Sequence, residues 1–171
     1  MSFAIRPTRL EEAALLPAIE RSAGQAFRAY PEIAWVADGD DLSAQHHALR
    51  IAQRLSWVAI DAADQPFAFL IAERFDDALH IEELDVRQDR QGQGAGRALL
   101  RHVVDWARAE GLAAVTLTTF REVAWNAPFY AREGFVLVEG EALDRRLKAL
   151  LASEAERGLA PEGRCAMRLA L

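Results

Sequence analysis

The stretch Leu79–Leu100, LHIEELDVRQDRQGQGAGRALL, decides how the rest of the chain is read. A β-rich run ends in a glycine-dense turn and passes straight into an alanine- and leucine-rich segment. In that strand–turn–helix order, glycines let a backbone approach an anion closely. The first turn of the helix adds N–H groups that have no partner inside the helix. The local expectation is a phosphate cradle. Two familiar cradles fail on spacing. A Walker loop needs Gly-Lys-Ser/Thr at the helix start, whereas the chain has Gly96-Arg97-Ala98, without the hydroxyl that would hold magnesium. A dinucleotide fingerprint needs its third glycine at Arg97, counted from Gly92, or at Leu99, counted from Gly94.

Outward from this stretch, 171 residues with 51% hydrophobic and 27% charged suit one domain, residues 1–171, with a core of useful size. The longest apolar runs, such as Phe67–Ala72, are far shorter than the roughly 20 residues of a spanning helix, so no membrane partner is expected. Met1–Leu10 has two arginines and a proline but no apolar h-region, which makes the cytoplasm the expected location. A net charge of −6 argues against nucleic acid, whose phosphates need a basic face. The single Cys165 excludes an intrachain disulfide and reads as a buried strand residue.

Periodicity gives the elements. Phe3–Arg6 reads as a first strand, followed by a helix over Arg9–Arg21 with Thr8 as N-cap and Leu15, Leu16 and Ile19 as its apolar stripe. Pro17 inside it implies a kink or a late start. Gln25–Tyr30 reads as a short helical piece, Tyr30–Leu42 as a loop carrying Trp35, and Ser43–Leu55 as a helix capped by Ser43. His46 and His47 lack the further ligands a metal needs and are expected on a solvated face. Trp57–Asp61, Phe67–Phe75 and Leu79–Val86 form an antiparallel meander, reversing at Asp76-Asp77. The helix after the glycines runs to about Glu110 and ends at Gly111. Val115–Phe120 follows by a right-handed crossover and so lies parallel to the preceding strand. Asn126–Arg132 is a short helix closed by Gly134, Phe135–Glu139 a strand, Leu143–Arg157 an amphipathic helix and Arg164–Leu171 a closing strand. The fold class is mixed α/β: a mostly antiparallel central sheet, splayed at one parallel pair, with helices on both faces.

The run LxVxxxxQGxGxGRxLL, with its Gln91-x-x-Gly94-x-Gly96 core, resembles motif A of the GCN5-related N-acetyltransferases, the GNAT superfamily. Asn126 to Phe135, N-x-x-x-x-Y-x-x-x-G-F, is similar to its motif B. The resemblance implies acetyl-CoA as acetyl donor, with the pyrophosphate held by backbone groups of Gln91, Gly92, Gln93, Gly94, Ala95 and Gly96. It further implies a charge contact from Arg97, backbone contacts from Leu84 and Val86 to the pantetheine arm, and a cofactor role for Asn126. N-capping is the other reading of Asn126. Tyr130 matches the family's general acid, and a phenol suits protonation of a thiolate because its pKa of about 10 is close to a thiol's.

Glu82 and Glu83 are candidate bases, since carboxylates in a buried-looking strand are costly without a use. Alternation groups Glu82 with His80, Leu84 and Val86, and Glu83 with Leu79, Ile81 and Asp85, and does not choose between them. Trp35, Arg121 and Trp125 are candidate substrate contacts, each weighed against packing. The expected partner is a small-molecule or peptide amine, and a homodimer is compatible with all of this. From another class, a non-catalytic acyl-CoA-binding module on the same fold fits the same motifs. The helix Leu143–Arg157 departs from a minimal family member and is expected to border the acceptor mouth.

Overall fold

A computed structural model describes residues 3–171. Two compact units emerge, one taking the chain up to Glu73 together with Glu83–Trp106, the other Arg74–Glu82 together with Ala107–Leu171. The boundary passes between Glu82 and Glu83, inside a single strand.

In the first unit β1 (Ala4–Pro7), β2 (Ser56–Ile60), β3 (Pro66–Phe75) and the end of β4 (Ala78–Val86) follow one another in the sheet. The β1–β2 and β2–β3 pairs are antiparallel, with a bulge between Ala59 and Ile60. β3 is buried without interruption from Phe67 to Ala72, as expected of a strand covered on both faces. Leu16 and Ile19 of α1 (Leu16–Gly24) pack on Val58, Phe69 and Ile71. α2 (Ala44–Ala52) is capped by Ser43, whose Oγ accepts from the His46 N–H at 3.1 Å. α3 (Ala95–Ala109) turns Leu99, Leu100 and Val103 inward, and Trp106 meets Trp57 edge to face at 5.2 Å.

In the second unit the sheet order is the start of β4, β5 (Ala114–Phe120), β7 (Arg164–Ala170), β6 (Val136–Val138), making seven strands among the described residues. β4 and β5 are parallel over Ala78–Ile81 against Ala114–Leu117, as the crossover rule predicts. β5–β7 and β6–β7 are antiparallel. α3 ends in the second unit, where Leu112 and Gly111 bond back to the Ala107 and Arg108 carbonyls, with Gly111 at φ 71°. The charged helix α5 (Arg145–Glu156), capped by the Asp144 side chain, sets Leu147, Leu150 and Leu151 against Val138 and Ala166. α4 (Ala127–Arg132) is short and ends at Gly134, φ 95°.

Three local expectations are corrected. Thr8 caps no helix: its hydroxyl bonds Ser56 Oγ at 2.7 Å, and Arg9 leads into one 3₁₀ turn, Leu10–Glu12. Glu12 is held there by Arg6 and the Arg9 N–H. The α-helix starts at Leu16, with Pro17 in the first turn, where a missing N–H costs nothing, and Leu15 stays exposed. Pro31–Asp38 is a 3₁₀ helix rather than a loop, opened by Pro31 and closed at Gly39. His47 is 0% exposed and stands edge to face on Phe69 at 5.1 Å, so α2 turns this histidine into the core. Among the described residues, no helix is long and apolar enough to cross a membrane.

Candidate functional site

The glycine loop belongs to the first unit. After Val86 a 3₁₀ turn, Gln88–Arg90, leads into Gln91–Gly94 and α3. Gly92 and Gly94 adopt φ 73° and 84°, a region L side chains enter only at a cost. Gln91 Nε2 donates to the Val86 carbonyl at 3.0 Å, closing the loop onto the strand that feeds it. Gln88 N–H donates to Ser22 Oγ at 3.1 Å, and Arg87 N–H to the Phe67 carbonyl at 2.9 Å. The first rung of α3 runs from the Ala98 N–H to the Gly94 carbonyl at 3.0 Å. Upstream of it lie the first-turn positions Ala95, Gly96 and Arg97, whose N–H groups a helix cannot bond internally. Gln91–Gly94 and Arg97 are exposed. A Cβ at Gly96 would meet nothing closer than Val86 Cγ2 at 3.5 Å, an ordinary contact. Fixed dipoles at a helix start, on a loop shaped by glycine, suit a diphosphate.

The first unit also gathers carboxylates. Glu83 and Asp85 share one side of β4, and Glu20 of α1 and Asp41 lie close enough to act on them electrostatically. Glu20 Oε2 accepts from the Leu42 N–H at 3.0 Å and lies 3.9 Å from His47 Nε2. Burial first, then the charges of Glu83 and Asp41, push Glu20 up to about 8. Burial, then Glu83, Glu20 and Asp41, hold Asp85 well above the usual carboxylate range. Asp41 is paired with Arg21. Among the described residues no group of His, Cys, Asp or Glu could hold a metal ion. The sequence reading missed Glu20, which nothing local marks; Asp85 was visible as Glu83's neighbour by alternation, and Asp41 as part of the acidic run Asp38–Asp41.

The raised Glu20 has a consequence for stability. An unfolded glutamate loses its proton near 4.5 and the folded one only near 8, so between these values the native state holds more protons and stability falls as pH rises. Glu20→Gln keeps an acceptor for the Leu42 N–H and removes the buried charge. Thermal unfolding should show the variant more stable than the parent at about pH 9, by on the order of 3 kcal/mol, with the difference gone near pH 4. Equal stability at the higher pH would contradict the burial of this charge.

The second unit carries the other candidates. Glu82 influences His80, which bonds Thr116 Oγ1 through Nδ1 at 3.0 Å; burial, then the Arg146 charge, push His80 down to about 4. The two glutamates therefore sit in different company, Glu83 among carboxylates and Glu82 beside a neutral histidine. Asn126 makes no side-chain cap for α4; its Oδ1 instead accepts from Thr119 Oγ1 at 2.8 Å. Tyr130 is buried between the rings of Phe129 and Phe135, at 5.1 and 5.6 Å. Arg121 pairs with Glu139 at 2.8 Å. Trp125 in this unit is 41% exposed, and Trp35 in the first 46%. Leu84 and Val86 are half-buried at the end of β4. Cys165 is buried, with Sγ 3.7 Å from the Thr119 carbonyl, and burial pushes its thiol up.

Over 93 residues the chain is 33% identical to streptothricin acetyltransferase from Streptomyces lavendulae, a match covering 54% of this chain and 48% of that one. The chain thus spans about half the length of this curated relative. PaiA N-acetyltransferase from Thermoplasma acidophilum, solved with coenzyme A, superposes with a TM-score of 0.72 at 17% identity, covering 100% of both chains. Rv2747 from Mycobacterium tuberculosis, also solved with CoA, gives 0.74 at 19% identity, over 98% of this chain and 99% of that one. At such identities the likeness establishes the fold. Residues 19–135, which include the glycine loop, the parallel strand pair and α4 with the preceding Asn126, match the acetyltransferase (GNAT) family, and the chain belongs to it.

Proposed function

We propose that the protein moves an acetyl group from acetyl-CoA to the primary amine of a cationic small molecule or peptide, by direct attack within a ternary complex. Glu20, Glu83 and Asp85 carry this reading: they form a set of mutually repelling carboxylates, two with raised pKa, beside the strand that feeds the glycine loop. Such a set attracts an ammonium and holds a base poised near neutral pH, which deprotonation of an amine requires. The protons titrate as a property of the group rather than of one residue.

Acetyl-CoA supplies an acyl group activated as a thioester. Backbone N–H groups of Gln91–Gly96 and the start of α3 hold the diphosphate, with Arg97 adding charge. The backbones of Leu84 and Val86 serve the pantetheine arm, and the Asn126 carboxamide contacts the donor. The carboxylates take the amine's proton, the C–N bond forms as the C–S bond breaks, and Tyr130 gives its phenolic proton to the departing thiolate. The buried Cys165, its thiol pushed up, supports direct transfer over a covalent acyl-enzyme. Trp35, Arg121 and Trp125 are assigned to the acceptor, and the likeness to a streptothricin acetyltransferase makes streptothricin the first acceptor to try.

Gly96→Ala tests the donor half. The protein itself has room for this methyl, and alanine is the better helix former, by about 0.5–1 kcal/mol. Thermal stability should therefore hold or rise, while calorimetry shows CoA affinity falling about tenfold because the methyl occupies the diphosphate's approach. Unchanged affinity would remove the diphosphate from this loop. Thiol release from acetyl-CoA, measured with streptothricin and a panel of diamines, tests the transfer. Firm CoA binding with no release for any amine would favour the non-catalytic module instead.

A further inference from the structure

The carboxyl end of β5 is tied on both sides. Thr118 Oγ1 donates to Glu154 Oε1 of α5 at 2.6 Å, and Glu154 Oε2 accepts from Arg164 Nε at 2.8 Å. The next residue, Thr119, turns to the opposite face, as strand alternation requires, and spends its hydroxyl proton on Asn126 Oδ1 at 2.8 Å. Thr119 is buried, and its own carbonyl takes the Cys165 thiol. The backbone of Asn126 is committed as well: its N–H donates to the Val123 carbonyl at 2.9 Å, and its carbonyl accepts from Phe129 and Tyr130 at 2.8 and 3.0 Å. A carboxamide on a fixed backbone has two orientations that differ only in which end carries the donors. With Oδ1 held by the hydroxyl, the amino group is the end turned from Thr119.

We infer that Thr119 is a positioning residue for donor binding: its hydroxyl selects the Asn126 orientation that offers N–H donors to the carbonyl and phosphoryl oxygens of the acetyl donor. This rests on the assignment of Asn126 to the donor made above. It also gives a use to a threonine where an apolar side chain would satisfy the buried strand. A valine there would leave Oδ1 without its donor and let the carboxamide present the wrong end.

The test measures the affinity of CoA by calorimetry, with thermal unfolding alongside. Thr119→Val should weaken CoA about fivefold, the effect of one neutral hydrogen bond. Thr119→Ser should restore parental affinity. Thr119→Ala, which removes the hydroxyl without adding a methyl, should match Thr119→Val and covers the case in which the valine variant does not fold. Asn126→Ala should weaken CoA at least as much, and adding Thr119→Val to it should change nothing further, since coupled residues do not add. A purely structural threonine would move the unfolding temperature and leave affinity alone. Unchanged affinity in Thr119→Val and Thr119→Ala beside a weakened Asn126→Ala overturns the positioning role and spares the donor assignment. A full additional loss in the double variant also overturns it. Unchanged affinity in Asn126→Ala overturns the donor assignment itself.

Discussion

Tyr130→Phe is expected to lower kcat about 100-fold while leaving CoA affinity close to that of the parent. The Tyr130 ring packs edge to face on Phe129 and Phe135, and phenylalanine keeps every one of those ring contacts. The backbone ties that build α4, from Tyr130 N–H to Asn126 and from Glu133 and Phe135 to the Tyr130 carbonyl, do not involve the hydroxyl. What the substitution removes is the hydroxyl, and with it the general-acid help proposed for the leaving thiolate. Release of free thiol at saturating acetyl-CoA and acceptor reads the effect directly. Turnover equal to the parent's would assign that proton to another group.

The second large effect concerns the carboxylates. Glu83→Gln should lower kcat/KM about 100-fold and move the rising limb of its pH profile to lower pH. The sign follows from the charges: Glu83 raises both Glu20 and Asp85 by repulsion, so removing its charge lets them lose their protons earlier. Glu82→Gln, beside the neutral His80, should leave that limb in place. A profile that moves in Glu82→Gln and not in Glu83→Gln would transfer the base role to the other side of the strand. The pH dependence matters more than the rate, because a general loss of folding lowers activity without displacing the limb.

The succession β2, β3, β4, the parallel pair and the glycine loop were legible because each rests on short-range signals. A continuous apolar run marks β3, alternation marks β4, helical spacing marks α3, and Gly111 and Gly134 stop their helices with positive φ. The start of α1 was misread because Thr8 looks like a cap in one dimension, while in three its hydroxyl is taken by Ser56 on β2. His47 reads as polar, yet the helix turns it onto Phe69. Asn126 read as a ligand contact with capping as the alternative; Thr119 shows that its side chain does not cap.

By itself the sequence determined the family and the glycine loop proposed to take its donor. Glycine conformation, helix-start dipoles and the spacing of Asn126 and Tyr130 are properties of adjacent residues, and they survive being written as a string. Which glutamate of Glu82 and Glu83 keeps carboxylate company was decided only by the tertiary structure. The answer depends on Glu20 and Asp41, brought in from α1 and the segment before α2, and desolvation and repulsion act through space rather than along the chain.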